Sequence, residues 1–122
     1  MEDPRKNSSY LEKWIEKQKV SDLLVDISIV VPCFNEQWRL PSTLIDIIDY
    51  VDAHSDLNFE IIVVDDGSTD GTVERIAGLG DPRVRCVRLD PRQGNYFARN
   101  RGIAESKGAF VAFLDADDLW IH

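Results

Sequence analysis

Four short apolar runs recur along the chain, separated by segments whose apolar residues follow a helical spacing. The runs are rich in β-branched or aromatic residues and predict four strands: DISIVV, FEIIVV, RVRCVRL and AFVAFL. The first ends at Pro32 and the second at Asp65. Arginines on one face of the third, Val84 to Leu89, predict an edge or half-exposed strand. The fourth has the composition of a buried strand.

Helices are predicted between these strands. In LPSTLIDIIDYV the apolar residues Leu40, Leu44, Ile47, Ile48 and Val51 fall on one helical face, and Pro41 suits a first turn. TVERIA follows Ser68, Thr69 and Asp70, which are candidate helix caps. NYFARNRGIAESKG predicts a third helix, with Asn95 as its candidate cap.

Strand and helix alternate, which predicts an α/β fold. We expect a Rossmann-like, mostly parallel sheet with helices on both faces, spanning residues 25–122. We expect residues 1–24 to form a separate, helical N-terminal extension, because in a helix YLEKWIEKQKV would place Tyr10, Leu11, Trp14 and Ile15 on one face. Docking of this helix on the domain is favoured over a membrane-surface or partner-binding role, since its polar face mixes Glu with Lys.

Composition narrows the functional classes. The 122 residues carry a net charge of -8 and are 43% hydrophobic, which suits one soluble domain and argues against nucleic-acid binding. No apolar run approaches a membrane span, and MEDPRKNSSY is not a signal peptide. Cys33 and Cys86 suggest neither a disulfide framework nor a zinc site. A cytoplasmic protein is predicted.

Polar clusters follow three of the four predicted strands. They are PCFNE at residues 32–36, DDGSTDGT at 65–72 and DADD at 115–118. Any one of them alone is typical of a turn. In a parallel sheet all three would meet at the carboxyl edge, where ligands bind.

Together the motifs VVPCFNE, VVDDGSTDGT, GNYFARNRGIAESKG and FLDADD carry a resemblance that covers residues 26–120. In this order and spacing they resemble the nucleotide-binding half of family 2 glycosyltransferases, which have the glycosyltransferase A-type fold. The resemblance implies an inverting, metal-dependent transfer of a sugar from a nucleotide-diphospho-sugar to an acceptor. A UDP-sugar is the favoured donor and GDP-mannose the next.

The family pattern implies roles for matched residues in this sequence. The backbone around Pro32 and the ring of Phe34 should flank the base, and Glu36 should lie near the nucleoside. Asp66, with Asp65 as a second candidate, should accept a hydrogen bond from the base. The further expected nucleotide-binding residues are Arg99, which should approach the phosphates, and Asp115.

Asp115 and Asp117 match the DxD motif of the family. Two carboxylates separated by one small residue can share a divalent ion, and the resemblance implies Mg²⁺ or Mn²⁺. Two roles stay open for Asp118: a third metal ligand, or a contact to the ribose.

The family places its acceptor site and catalytic base after the DxD strand. No residue here matches that base, which is therefore expected beyond residue 122, and the sequence is interpreted as a fold truncated after this strand. The unpaired sheet edge left there predicts self-association. The full-length protein is a candidate for peripheral attachment to a membrane.

Other functional classes remain open. A nucleotide-binding or structural module without catalysis is the main alternative. A nucleotidyltransferase or a dinucleotide dehydrogenase is disfavoured, because PCFNEQWRLP has no glycine-rich phosphate loop. NEQWRLPSTL resembles members that glucosylate or mannosylate polyprenyl phosphates, whereas FARNRGIAESKGAFVAFLDADDLW resembles members that build surface polysaccharides, so these two resemblances do not decide the donor.

Overall fold

The structure, a computed structural model, describes residues 24–116. Its elements alternate as predicted: β1 (Ile27–Cys33), α1 (Leu40–His54), β2 (Phe59–Asp65), α2 (Thr72–Ala77), β3 (Val84–Arg88), α3 (Asn95–Glu105) and β4 (Phe110–Phe113). The helix predicted in the N-terminal extension lies outside the described residues. No helix between residues 24 and 116 is long and apolar enough to cross a membrane.

The strands form one four-stranded sheet in the order β3-β2-β1-β4. Every pairing is parallel; Val31, for example, lies opposite Val63 of β2, and Val30 opposite Phe113 of β4. From β1 the chain builds outward through β2 and β3, then returns to the other side of β1 as β4. The strand order therefore reverses between β1 and β4, and the carboxyl ends of these strands flank the crevice that favours ligands in such sheets.

Helices cover both faces of the sheet, which confirms the predicted Rossmann-like architecture. On one face, side chains of α1 and α2 pack on β1 and β2 around Ile29, Val31 and Ile61. On the other face, Ala98 of α3 packs on Val30 and Ile62. Because β1 and β2 are covered on both sides, they are apolar along most of their length rather than alternating.

The spacing of apolar residues in α1 decides which of its faces is buried. Leu40, Leu44 and Ile47 are fully buried, while Ile48 and Val51 pack at the edge of the same cluster. Burying each such side chain stabilises the fold by about 1.5–3 kcal/mol. Pro41 lies in the first turn, where its missing N–H costs no helical hydrogen bond.

The contact between α3 and β1 depends on one glycine. A Cβ at Gly102 would lie 2.2 Å from Cγ1 of Val30, so only glycine lets the helix backbone approach the strand this closely. This close approach sets the position of α3 and of Arg99, one turn earlier.

Two expectations are wrong, one about the end of β1 and one about the burial of β4. β1 continues through Pro32 to Cys33, and this is tolerated because β4 pairs with β1 only as far as Val30. β4 was predicted to be buried, but it is the outer strand of the described sheet, and Phe110 is 73% exposed. The half-exposed edge position predicted for β3 is confirmed.

The predicted capping of the helices is confirmed only in part. Asn95 is the first residue of α3 and not its cap, because the helix begins after Gly94. Asp70 does act at the start of α2, where Oδ1 accepts a hydrogen bond of 2.9 Å from the amide of Thr72.

Candidate functional site

A cavity of about 350 Å³ opens at the carboxyl edge of the sheet, at the crevice between β1 and β4. It is lined by residues from the ends of β1, β2 and β4, from the loop after β3, and from α3: Pro32, Cys33, Phe34, Glu36, Asp66, Arg92, Asn95, Ala98, Asp115 and Ala116. The structure thus brings together Pro32, Phe34, Glu36, Asp66 and Asp115 of the predicted set. Asp65 and Arg99 are not among the lining residues.

A second cavity, of about 440 Å³, lies at the opposite edge of the sheet. It contains Arg83 and Arg85, which are engaged by acidic side chains: Arg83 by Asp52, and Arg85 by Glu60. This volume is larger, but its charges already pair with one another. The chemistry suited to a ligand lies at the carboxyl edge.

Asp66 forms the floor of the carboxyl-edge cavity. Its side chain is only 5% exposed, and its two oxygens accept hydrogen bonds from the backbone amides of Gln93, at 2.6 Å, and Gly94, at 2.9 Å. Backbone donors of this kind hold a carboxylate in one orientation. Oδ2 also accepts from Nε of Arg92, so it is Oδ1 that keeps a lone pair for another donor.

Phe34 and Arg92 form a stacked pair beside this floor. The guanidinium carbon of Arg92 lies 3.7 Å from the centre of the Phe34 ring, and Nε lies 3.4 Å from Oδ2 of Asp66. The Phe34 ring therefore offers its face to a planar, electron-poor group, which is also what a stacked base would require.

Asp65 lies apart from the cavity, and this geometry does not support its expected contact with a base. Its carboxylate is fully buried and accepts hydrogen bonds from the amide of Ser68, at 3.1 Å, and from the Ser68 hydroxyl. Nε of Arg88 lies 3.7 Å away. The side chain is used within the loop that follows β2.

Asp115 follows β4 at the mouth of the cavity, with its side chain 48% exposed. Nη2 of Arg99 donates to Oδ1 of Asp115 at 3.2 Å, and the same guanidinium lies over the ring of Phe113, at 5.2 Å. The predicted cationic residue of α3 thus contacts the predicted metal ligand in this structure.

The donor set fits a hard divalent cation only in part. Asp115 supplies carboxylate oxygens at an accessible position, whereas Asp117 lies outside the described residues. Among residues 24–116 no group of three or more His, Cys, Asp or Glu side chains could hold a metal by itself. Asp115 would need further oxygen ligands, which Asp117 and the phosphates of a ligand could provide.

Glu36 lines the cavity and is held from outside by Arg39, whose Nε lies 3.1 Å from its Oε1. Glu36 precedes the first residue of α1 by about one turn, and this ion pair holds its carboxylate at the rim of the cavity.

Cys33 lies in the wall of the cavity. Burial, together with the charge of Asp65, raises the pKa of its thiol, which disfavours the nucleophilic thiolate.

Sequence reasoning missed Arg92 and the ligand-facing position of Asn95. Arg92 lies in the loop between β3 and α3, and Asn95 is the first residue of α3; the missed signal is topological. Because β3 is parallel to the other strands, its following loop must also reach the carboxyl edge.

Comparisons with known proteins agree with this site. The family model described as "Glycosyl transferase family 2" matches residues 28–122. The succinoglycan biosynthesis protein ExoO of Rhizobium meliloti (strain 1021) is 37% identical over 97 residues, which are 80% of this chain and 27% of that protein. The chain thus spans about a quarter of the length of this relative.

Solved structures show the same fold. The mannosyltransferase PcManGT from Pyrobaculum calidifontis, in complex with GDP-Man and Mn²⁺, superposes with a TM-score of 0.67 at 27% identity, covering 91% of this chain and 35% of that one. S. aureus TarS 1-349 in complex with UDP-GlcNAc superposes with a TM-score of 0.62 at 28% identity, covering 75% of this chain and 26% of that one.

Proposed function

The chain belongs to glycosyl transferase family 2, and we propose that it forms the donor-binding half of an enzyme that transfers a sugar from a nucleoside diphosphate. One observation carries the proposal: an aromatic ring, a buried carboxylate and an accessible carboxylate line one cavity where the strand order reverses. The aromatic ring suits stacking of a base, and the buried carboxylate suits an N–H donor of that base. The accessible carboxylate suits a cation bound to the diphosphate.

The base would occupy the inner part of the cavity. Phe34 supplies a stacking face, and in the absence of a base that face is covered by Arg92 at 3.7 Å. Asp66 is a fixed acceptor whose remaining lone pair on Oδ1 matches the N3–H of uracil or the N1–H of guanine. Its geometry fits both bases, in keeping with solved relatives that hold UDP-GlcNAc and GDP-Man. We favour a UDP-sugar as donor, with GDP-mannose second.

The diphosphate would lie toward Asp115. Asp115 and Asp117 would hold Mg²⁺ or Mn²⁺, which neutralises charge on the departing nucleoside diphosphate when it is bound. The chain's own part is to orient the Asp115 carboxylate, through Arg99, toward the cavity mouth. Local cations are needed there because the net charge of -8 opposes an anionic ligand.

Binding of UDP and CDP to the 122-residue chain tests the base site. Cytosine presents an acceptor at N3 where uracil presents a donor, so CDP would leave Asp66 facing a like lone pair. We expect UDP to bind about tenfold or more tightly than CDP with Mn²⁺ present, by titration calorimetry. Equal affinities would remove Asp66 from base recognition.

The proposed metal site is tested by comparing the binding of UDP with that of uridine. Omitting Mn²⁺ should weaken UDP binding but leave the much weaker binding of uridine unchanged, because only the diphosphate reaches the cation. Asp117→Ala should abolish the Mn²⁺ effect while the circular dichroism spectrum stays that of the folded chain. Full Mn²⁺ dependence in this variant would make the metal assignment wrong.

We propose further that the chain self-associates through β4, which is the outer strand of the described sheet and carries the exposed Phe110 at its amino end. Transfer of the sugar itself, which needs an acceptor and a base, is proposed for the whole protein and is measured with the full-length enzyme.

A further inference from the structure

The loops that follow β1 and β2 are joined by a set of hydrogen bonds that the proposed donor chemistry does not use. Five backbone amides in these loops donate to side chains of the opposite segment: those of Asn35, Glu36, Gln37, Thr69 and Gly71. The acceptors all lie outside the cavity lining. Together these hydrogen bonds hold the loop that carries Phe34 and Glu36 against the loop after β2, which is itself fixed.

Asn35 is the centre of this arrangement, and we propose that it is a positioning residue for the base end of the cavity. It stands between Phe34 and Glu36, both of which line the cavity, while Asn35 itself does not. The proposal deepens the proposed function, since it concerns how the same site is shaped.

The backbone of Asn35 is the first reason. Its φ of 53° lies in the left-handed region, and it is the one non-glycine residue with positive φ between residues 24 and 116. This conformation costs most residues about 1–2 kcal/mol, and Asn is among the few that tolerate it. The positive φ bends the chain away from the direction of β1 between Phe34 and Glu36, and both of these residues line the cavity.

The side-chain contacts are the second reason. The Asn35 amide donates to Oγ of Ser68 at 2.8 Å, and the amide of Thr69 donates back to Oδ1 of Asn35 at 2.9 Å. These two reciprocal bonds, between Asn35 and the Ser68–Thr69 dipeptide, are called the Asn35 clasp below.

The clasp rests on a rigid base. Ser68 is 2% exposed, and its hydroxyl donates to the carboxylate of Asp65, which is fully buried. Asp65 is thereby given a role: it orients the hydroxyl of Ser68 so that the free lone pair faces the Asn35 amide. A buried carboxylate with such bonds moves little, so the clasp transmits the position of β2 to the loop after β1.

The variants Asn35→Gly and Asn35→Asp separate the two reasons. Glycine accepts the positive φ but removes the acceptor for Thr69, whereas Asp keeps an acceptor and also tolerates this φ. Ser55→Ala is the matched control, because it also removes one side-chain acceptor of a backbone amide, that of Leu57, at the opposite edge of the sheet.

The first readout needs no ligand. The Nε–Hε signal of Arg92 reports its stacking on Phe34, since a proton over a ring is shifted upfield. In NMR spectra of the 122-residue chain we expect this shift to collapse in Asn35→Gly, to be retained in Asn35→Asp and to be unchanged in Ser55→Ala. Exchange of the Thr69 amide with solvent should accelerate in the Gly variant alone. Thermal midpoints should differ little, because Asn35 is exposed.

The second readout is affinity. With Mn²⁺ present, Asn35→Gly should bind UDP about five- to tenfold more weakly than the wild type, the effect of one lost hydrogen bond. Ser55→Ala should bind UDP like the wild type.

An unchanged Arg92 signal in Asn35→Gly, or a collapsed one in Asn35→Asp, would overturn the positioning role. So would wild-type UDP affinity in the Gly variant. If the wild type itself binds no nucleotide, the proposed function is wrong, and the Arg92 signal still decides the role of Asn35.

Discussion

Arg99 and Asp115 form an ion pair across the mouth of the cavity, with 3.2 Å between Nη2 and Oδ1. A divalent cation on Asp115 would have to share that carboxylate with the guanidinium. Arg99 therefore has two opposing effects on ligands. It competes with the metal for the Asp115 carboxylate, and once a metal has displaced it from Asp115 its guanidinium can contact phosphate.

These effects predict opposite outcomes for one variant. Arg99→Gln should raise the affinity for Mn²⁺ without nucleotide about three- to tenfold, because a nearby positive charge is removed. The same variant should bind UDP with Mn²⁺ more weakly. Electron paramagnetic resonance of free Mn²⁺ measures the first effect and calorimetry the second.

Arg101→Gln is the control, because Arg101 lies on the same helix and pairs with Glu105 at 3.1 Å. It changes the net charge equally but leaves Asp115 untouched. Equal shifts in both variants would show that only overall charge matters and would contradict the competition.

At this same scale the neighbours Asp65 and Asp66 mark the limit of sequence reasoning. The motif places both at the end of a strand, and that much could be predicted. Their division into a buried loop anchor and a cavity floor depends on the direction of each side chain and on donors from Ser68 and Gly94. Ser68 is close to Asp65 along the chain, but Gly94 becomes a neighbour of Asp66 only in the folded chain.

Among the elements, α3 lies so close to β1 that Gly102 leaves less room for a Cβ than any other glycine of the described residues. Gly102→Ala would place a methyl group 2.2 Å from Val30, a clash that neither a helix nor a central strand relieves cheaply. We expect a loss of about 1–3 kcal/mol in the free energy of unfolding, despite the better helix propensity of alanine.

Urea denaturation measures this loss, and Gly78→Ala serves as the comparison. A Cβ at Gly78 meets its nearest atoms at 3.5 Å, an ordinary contact. Gly78→Ala should therefore be close to neutral. A neutral Gly102→Ala would mean that α3 shifts freely, which would also release Arg99.

Periodicity predicted the elements well, because α1 and the buried strands are long or strongly apolar. It misjudged β4, since the same run of Phe, Val and Ala suits a central strand and an outer one. Which neighbours a strand acquires is decided by the whole sheet, and Phe110 is exposed for that reason.

At the scale of the whole molecule, the outer position of β4 in the described sheet and the net charge of -8 have opposite effects on self-association. The open edge favours pairing with a second copy, whereas like charge opposes it. We expect the apparent mass in size-exclusion chromatography to rise with protein concentration, and to rise further with salt, which screens the repulsion.

Phe110→Lys should keep the chain monomeric by placing a charge on the exposed edge. Leu57→Lys is the control, since Leu57 is 51% exposed in the loop before β2, which is an inner strand. A monomer at every concentration and salt would refute self-association, and equal effects of both variants would locate it away from β4.

The reversal of strand order at β1 also sets the order in which the site is built during synthesis. β1 meets β2 early, but its other neighbour, β4, leaves the ribosome only after β3 and α3. The Asn35 clasp, which joins only residues 35 to 69, can thus form while Asp115 is still untranslated, whereas Asp66 must wait for the amides of Gln93 and Gly94. We therefore expect a nascent chain to fix the wall of its base site before the floor of that site and before its place for a cation.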